Sequence, residues 1–250
     1  MTTLNLQNSA PAIFATSSNP KMSSKYTFVN TFEMISAFQN EGWAVSNVTQ
    51  KGRGIHSSHQ IRMRNGFLPK VVGDTILEAV IINSHNGTTK FSISAGLYRL
   101  ACGNGLTVPT SVCQSFSLRH QNIDMGQVRR ITDEFAMKLP TIEKSVEKMK
   151  LVTLSDEEMY KFAKNAIDLR WKQGSVPTNI SVEALLAPRR EQDQSKDVWT
   201  TFNRVQESFV RGGVGYTTNS GRHVKMKPLT NFMVVNQVNT KLWELAESMI

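Results

Sequence analysis

Cysteine is nearly absent from this chain: Cys102 and Cys113 are the only two in 250 residues. Two thiols make neither a disulfide framework nor the four-ligand set of a structural zinc site, so both are read as reduced. No apolar run approaches the ~18 residues of a membrane-spanning helix. The opening stretch MTTLNLQNSAPAIF has no basic region leading into an apolar one, so no cleaved signal is expected. Nucleotide-binding signatures are missing as well. Gly96, Gly103 and Gly105 form neither a GxxxxGK[ST] loop nor a GxGxxG turn after a strand. The acids Asp74, Glu78, Asp124, Asp133 and Glu134 are scattered rather than grouped to hold two metals. These absences predict a cytoplasmic, ATP-independent, non-catalytic protein with no cofactor, no metal and no membrane partner.

Acid is also scarce where base is dense. The net charge is +9. Residues 1–150 hold 16 Lys and Arg against 9 Asp and Glu, whereas residues 151–250 hold 13 against 11. The window 51–70, KGRGIHSSHQIRMRNGFLPK, carries Lys51, Arg53, Arg62, Arg64 and Lys70 with no acid. Arg99, Arg119 and the pair Arg129 and Arg130 extend the set. A field of one sign favours a polyanion, because each neutralised phosphate releases counterions. Arginine suits phosphate through its planar fork of parallel donors.

Residues 1–24, rich in Ser, Thr, Asn and Pro, read as a flexible arm. A helix is expected over 31–41, with Thr31 as cap, Phe32, Ile35 and Phe38 on one face and Gly42 as stop. Trp43 opens a strand and is read as core. His59–Asn65 alternates strictly, with Ile61 and Met63 on one face and Gln60, Arg62 and Arg64 on the other. Residues 76–83 read as a buried strand, SHNG as a hairpin turn, TKFSIS as its return strand, and 94–103 as a short helix. Ser115–His120 reads as a strand. A long amphipathic helix from Asp124 to Met149, or two helices broken at Pro140, comes next. Ser155 and Glu158 form a capping box for a helix to Trp171. Further helices are expected after Ser181, over 197–211 and at the C-terminus, with a basic Gly-rich loop at 212–228. Strands and helices are segregated rather than alternating. The fold class is therefore α+β: a curved antiparallel meander packed by helices over 25–150, and a helical region over 151–250 that packs on the core or mediates oligomerisation.

Two histidine patterns invite a chemical reading. His56 and His59 flank two serines but lack a third ligand. Ser84 and His85 are adjacent, so alternation directs them to opposite faces and away from a nucleophile–base pair.

Two resemblances bear on function. YTFVNT, Gly42-Trp43, HQIRMR, IINSHNGT, AGLYRLACGNGL, SLRH, LLAPRR, DVWTTFNRVQESFVRGG and NTKLWELAESM together resemble the phage and plasmid family numbered 932 among domains of unknown function. That implies a phage or plasmid gene product in a bacterial host, without a biochemical role. The stretch ISAFQNEGWAVSNVTQ is similar to the helix-to-strand entry of Rad-fifty-two-type single-strand annealing proteins, across roughly residues 28–106. That likeness implies a β-β-β-α core and single-stranded DNA laid in a basic groove on an oligomeric ring. It casts Lys51, Arg53, Arg62 and Arg64 as backbone contacts, with Arg99 on the following helix. The expected function is phage-type single-stranded DNA binding and strand annealing in recombination. Expected partners are single-stranded DNA, further copies of the chain, and a phage exonuclease or host single-strand-binding protein. Two alternatives stay open: a protein-interaction module with incidental charge, and a metal-dependent nuclease using His56, His59, His85 and nearby acids.

Overall fold

A computed structural model describes residues 3–66, 75–99, 104–107, 116–118, 140–171 and 179–250. The chain divides into two compact units, Met1–Ile142 and Glu143–Ile250. Among the described residues no helix is long and apolar enough to cross a membrane.

The N-terminal unit is built on one antiparallel sheet. Its strands are β1 (Trp43–Gln50), β2 (His59–Asn65), β3 (Thr75–Asn83), β4 (Phe91–Arg99), β5 (Asn104–Thr107) and β6 (Phe116–Leu118). They pair in the order β1-β2-β3-β4-β5, with β6 also on β4. One sheet face carries His59, Ile61 and Met63 of β2, Leu77, Ala79 and Ile81 of β3, and Phe91, Ile93, Ala95 and Leu97 of β4. All are buried.

Helix α2 (Thr31–Asn40), which follows α1 (Thr3–Ser9), contributes buried Met34, Ile35 and Phe38 to this unit. Trp43 is core as expected and meets Phe38 edge-on at 5.7 Å. The cap of α2 is Asn30, whose side chain accepts from the Phe32 and Glu33 amides. Thr31, expected in that role, is instead fully buried.

Two further expectations are corrected. Residues 94–99 are strand, not helix: Thr75–Ile82 of β3 pairs continuously with Ser92–Arg99 of β4. Ala, Leu and Arg favour helix locally, but alternating Ile93, Ala95 and Leu97 fit the pleat, and tertiary pairing overrides a weak propensity. The N-terminal arm is also partly built in. Thr3–Ser9 is helical, Pro11–Phe14 forms a 3₁₀ turn, and Leu6, Ala10, Ala12, Ile13 and Ala15 are buried.

The C-terminal unit is helical with a small sheet. Helical residues 140–151 (α3) lead into it, followed by α4 (Asp156–Arg170), β7 (Asn179–Ile180), α5 (Val182–Leu186), α6 (Val198–Arg211), β8 (Gly215–Thr217), β9 (His223–Lys225) and α7 (Phe232–Glu247). The Ser155–Glu158 capping box forms as its sequence predicts, and the Ser155 amide and hydroxyl hold the Glu158 carboxyl below its usual range. Trp199, Phe202 and Trp243 pack at ring distances of 5.5–6.1 Å as the aromatic centre. Gly212, at φ 72°, ends α6. The expected basic loop at 212–228 is in large part the β8–β9 hairpin.

Candidate nucleic-acid interface

Alternation on β2 places Arg62 and Arg64 side by side, as predicted, on the sheet face opposite Ile61 and Met63. The structure gives both to one acid. Glu78 lies opposite Arg64 on β3 and is fully buried. Its carboxylate accepts from Arg62 Nη1 at 2.6 Å, Arg64 Nε at 2.8 Å and Ser46 Oγ at 3.1 Å. Ser46 sits at the β1 irregularity between Val45 and Asn47, where an extra residue redirects a side chain. Arg64 also lies over the Tyr98 ring, 3.9 Å from its centroid. The Arg62 side chain is only 8% exposed and that of Arg64 31%. Gln60, Val80 and Ser94 on this face are buried too. A phosphodiester would have to displace a buried carboxylate to reach Arg62.

Arg99 is separated from this pair. Its register position is in line with Ile93, Ala95 and Leu97, so it belongs to the opposite sheet face, and it is buried. The expected stripe joining Arg62, Arg64 and Arg99 is therefore not one surface. Lys70, Arg119, Arg129 and Arg130 lie outside the described residues.

Lys51 and Arg53 are exposed, at the end of the sheet where β1 turns into β2. That end is built from three segments tied together. The Gln50 side-chain amide donates to the Gly52 and Gly54 carbonyls at 2.9 and 3.2 Å, while its oxygen accepts from the Ala12 amide. Gly52, at φ 92°, allows the turn. The His85 amide bonds the His56 carbonyl at 3.1 Å, and Ser58 and Thr88 share a hydroxyl bond of 2.7 Å. Both join the β1–β2 loop to the β3–β4 turn. The third segment, 19–26, is held by Asn19 N to the His85 carbonyl and by the Tyr26 hydroxyl to the Ser84 carbonyl, each at 2.7 Å. Burial pushes the Tyr26 phenol up to about 12, so it stays a donor.

These segments carry Lys21, Lys25, Lys51, Arg53 and Lys90, all exposed. No Asp or Glu occurs in residues 1–32, 42–73 or 79–99. Lys21, Lys25 and Lys90 were not in the set picked from sequence. The signals for them are the acid-free runs 1–32, for Lys21 and Lys25, and 79–99, for Lys90, whereas composition alone reads residues 1–24 as a loose arm.

The histidines expected as nuclease candidates are bound up in this scaffold. His59 Nδ1 donates to the Ser57 carbonyl at 2.8 Å, and Nε2 accepts from the Thr31 hydroxyl at 2.9 Å. Asn83 in turn donates to Thr31 and to the Val29 carbonyl. Burial pushes the His59 imidazole down to about 4, against a weaker opposing effect of the Ser57 carbonyl. His85 Nε2 donates to the Ala12 carbonyl at 2.9 Å, and its ring stands 5.2 Å from that of His59 and 4.8 Å from Phe28. Ser84 bonds both ways with Thr89 across the turn. The SHNG segment thus fastens residues 12–31 to the sheet. Among the described residues no group of three or more His, Cys, Asp or Glu is placed to hold a metal ion.

The family model described as "Domain of unknown function (DUF932)" matches residues 21–241. Two curated relatives from Escherichia coli (strain K12), UPF0380 protein YafZ and UPF0380 protein YfjQ, are each 26% identical over 245 residues. The match covers 96% of this chain and 88% of each relative. No solved structure matches the chain.

Proposed function

The chain belongs to the family described as Domain of unknown function (DUF932), and from that premise we propose that it is a phage-type single-stranded-DNA-binding protein that anneals strands without ATP. The observation that carries this reading is the basic end of the N-terminal sheet. Lys21, Lys25, Lys51, Arg53 and Lys90 stand exposed on three segments, free of carboxylates, that the β3–β4 turn joins by hydrogen bonds. Preorganised cations on rigid loops neutralise backbone phosphates with little ordering cost. Sequence-independent contact of this kind leaves bases unread and available for pairing.

The contacts assigned here differ from the sequence expectation: the loops at the strand ends replace the strand face of Arg62 and Arg64. Helix α2 running through Gly42 into Trp43 of β1 supports a distant likeness to Rad-fifty-two-type annealing proteins. Strand β4, in place of the expected helix, departs from it. Annealing would be the work of an oligomer presenting several such sheet ends, with a single-stranded exonuclease product as its source of strands.

The test is fluorescence anisotropy of the full chain with mixed-sequence single-stranded oligonucleotides, across a salt series. If the five cations each meet a phosphate, affinity falls roughly 100-fold between about 50 and 200 mM salt, from a slope of ~0.7 per contact. Complementary strands should anneal faster with the protein and without nucleotide. Salt-independent binding, or none, removes the proposal.

A further inference from the structure

The C-terminal unit has its own acid-free basic segment, which the reading above does not use. Residues 208–243 contain no Asp or Glu and hold Arg211, Arg222, His223, Lys225, Lys227 and Lys241. Their centre is the β8–β9 hairpin, extended by β7 into a three-stranded sheet. The turn is stiff: Gly221 N bonds the Thr218 carbonyl at 2.8 Å, and Thr218 N and Oγ1 both bond Arg222 backbone atoms. Arg222 is exposed at that turn.

Register sorts the side chains. Asn179, Thr217 and His223 form one row across the sheet, and Gly215 and Lys225 pair in the next row of the same face. Tyr216, Val224 and Ile180 form the row between them, on the other face, where Tyr216 meets the Trp171 ring edge-on at 5.9 Å. The open face is thus polar and basic, and Gly215 adds no side chain to it. A Cβ at Gly215 would meet nothing within 4 Å. The groove there has a volume of about 460 Å³ and is lined by Asn179, Thr217, His223 and Lys225, with Tyr216 and Val224 also reaching it. Thr217 Oγ1 holds His223 by Nδ1 at 3.0 Å, which leaves Nε2 for a ligand. Ser181, at the rim, caps α5 and also donates to Glu183 at 3.1 Å.

We infer that this face of β7–β8–β9 is a second polynucleotide contact, in which Lys225, His223 and Asn179 bind backbone phosphates, Thr217 orients the His223 ring, and Arg222 extends the grip along the strand. An ammonium, an imidazole and a carboxamide on one face complement a phosphodiester. The inference rests on the reading that the chain binds single strands. It adds that each unit holds the strand separately, so that the two contacts reinforce one another through effective concentration.

The test compares three full-length proteins: wild type, Lys51→Glu/Arg53→Glu and Arg222→Glu/Lys225→Glu. Each is titrated with oligothymidylates of about 8 and about 40 nucleotides, bracketing the span of a single binding fold. The hairpin variant is expected to lose affinity for the long strand, with the salt slope reduced by about 1.4 for two lost phosphates. Both substituted side chains are exposed, and unchanged thermal melting confirms the fold. Independently, photocrosslinking of halogenated-uracil strands to the wild-type protein should label the Tyr216–Lys225 segment. If the hairpin variant binds like wild type while the Lys51 and Arg53 variant is impaired, the second contact is overturned and the first stands. The reverse pattern overturns the first and keeps the second. A wild-type protein that binds neither strand overturns both, and binding of inorganic phosphate alone at the hairpin overturns the polynucleotide assignment.

Discussion

Glu78→Ala should cost the N-terminal unit about 4 kcal/mol, because it takes from the buried Arg62 guanidinium the carboxylate it bonds at 2.6 Å. The magnitude follows from the geometry. The Glu78 side chain is 0% exposed and that of Arg62 8%, with 2.6 Å between them. Removing one partner of a buried pair costs ~3–5 kcal/mol, since the other charge cannot regain its hydration. Arg64, at 31% exposure, can turn outward and adds little. A chain of two units unfolds in more than one step, so the assay is hydrogen exchange of β2 and β3 peptides in urea rather than a single global melt. At a slope of ~1–3 kcal/mol per molar urea, the opening midpoint should fall by roughly 1–4 M. The double change Glu78→Leu/Arg62→Met should recover most of the loss, as apolar replacement of a buried pair is near neutral. A Glu78→Ala protein losing under ~1 kcal/mol would refute the reasoning: Arg62 would then not depend on Glu78, and the strand face would return as a ligand site.

Other outcomes follow from the same structure. His59 is held neutral, with its folded value about 4 against 6.5 unfolded. Its contribution is complete above pH 6.5 and is lost as pH falls from 6.5 towards 4, by ~3 kcal/mol in all. Protonated Nε2 would also become a donor facing the Thr31 hydroxyl. Stability of the N-terminal unit measured at pH 7 and pH 4.5 should therefore fall more for wild type than for His59→Gln, and equal falls would contradict the assignment. Gly212→Ala should destabilise the C-terminal unit by more than ~1 kcal/mol, since φ is 72° and the new Cβ would overlap the Met226 carbonyl. Unchanged hydrogen exchange of α6 peptides in urea would show that the α6 terminus relaxes freely.

Much of the fold can be read locally. Strict alternation marks β2, the capping box marks the start of α4, and apolar spacing marks α2, α6 and α7, because each signal spans only a few residues. What could not be read depends on contacts far apart in sequence. The AGLYR stretch has helical propensity yet becomes strand because β3 pairs along its whole length. Residues 1–24 lack periodicity, but Ala12 is bonded to Gln50 and His85, 38 and 73 positions away. The same holds for the site. Alternation puts Arg62 and Arg64 together, but nothing nearby announces that one carboxylate, Glu78, binds both. Parity within β4 would have put Arg99 on the other face had the segment been read as strand. Lys21, Lys25 and Lys90 join Lys51 and Arg53 only because the SHNG segment ties three loops together.

The central claim is that the exposed loop cations, not total charge, hold a single strand. The direct measurement is the affinity of Lys51→Glu/Arg53→Glu for a single-stranded oligonucleotide, compared with Lys161→Glu/Lys164→Glu on the exposed side of α4, which changes the net charge by the same amount. The loop variant should bind at least about tenfold more weakly, with its salt slope lowered by about 1.4, while the α4 variant stays near wild type. Equal weakening in both variants, or none in either, would contradict the assignment of the sheet end as the binding surface.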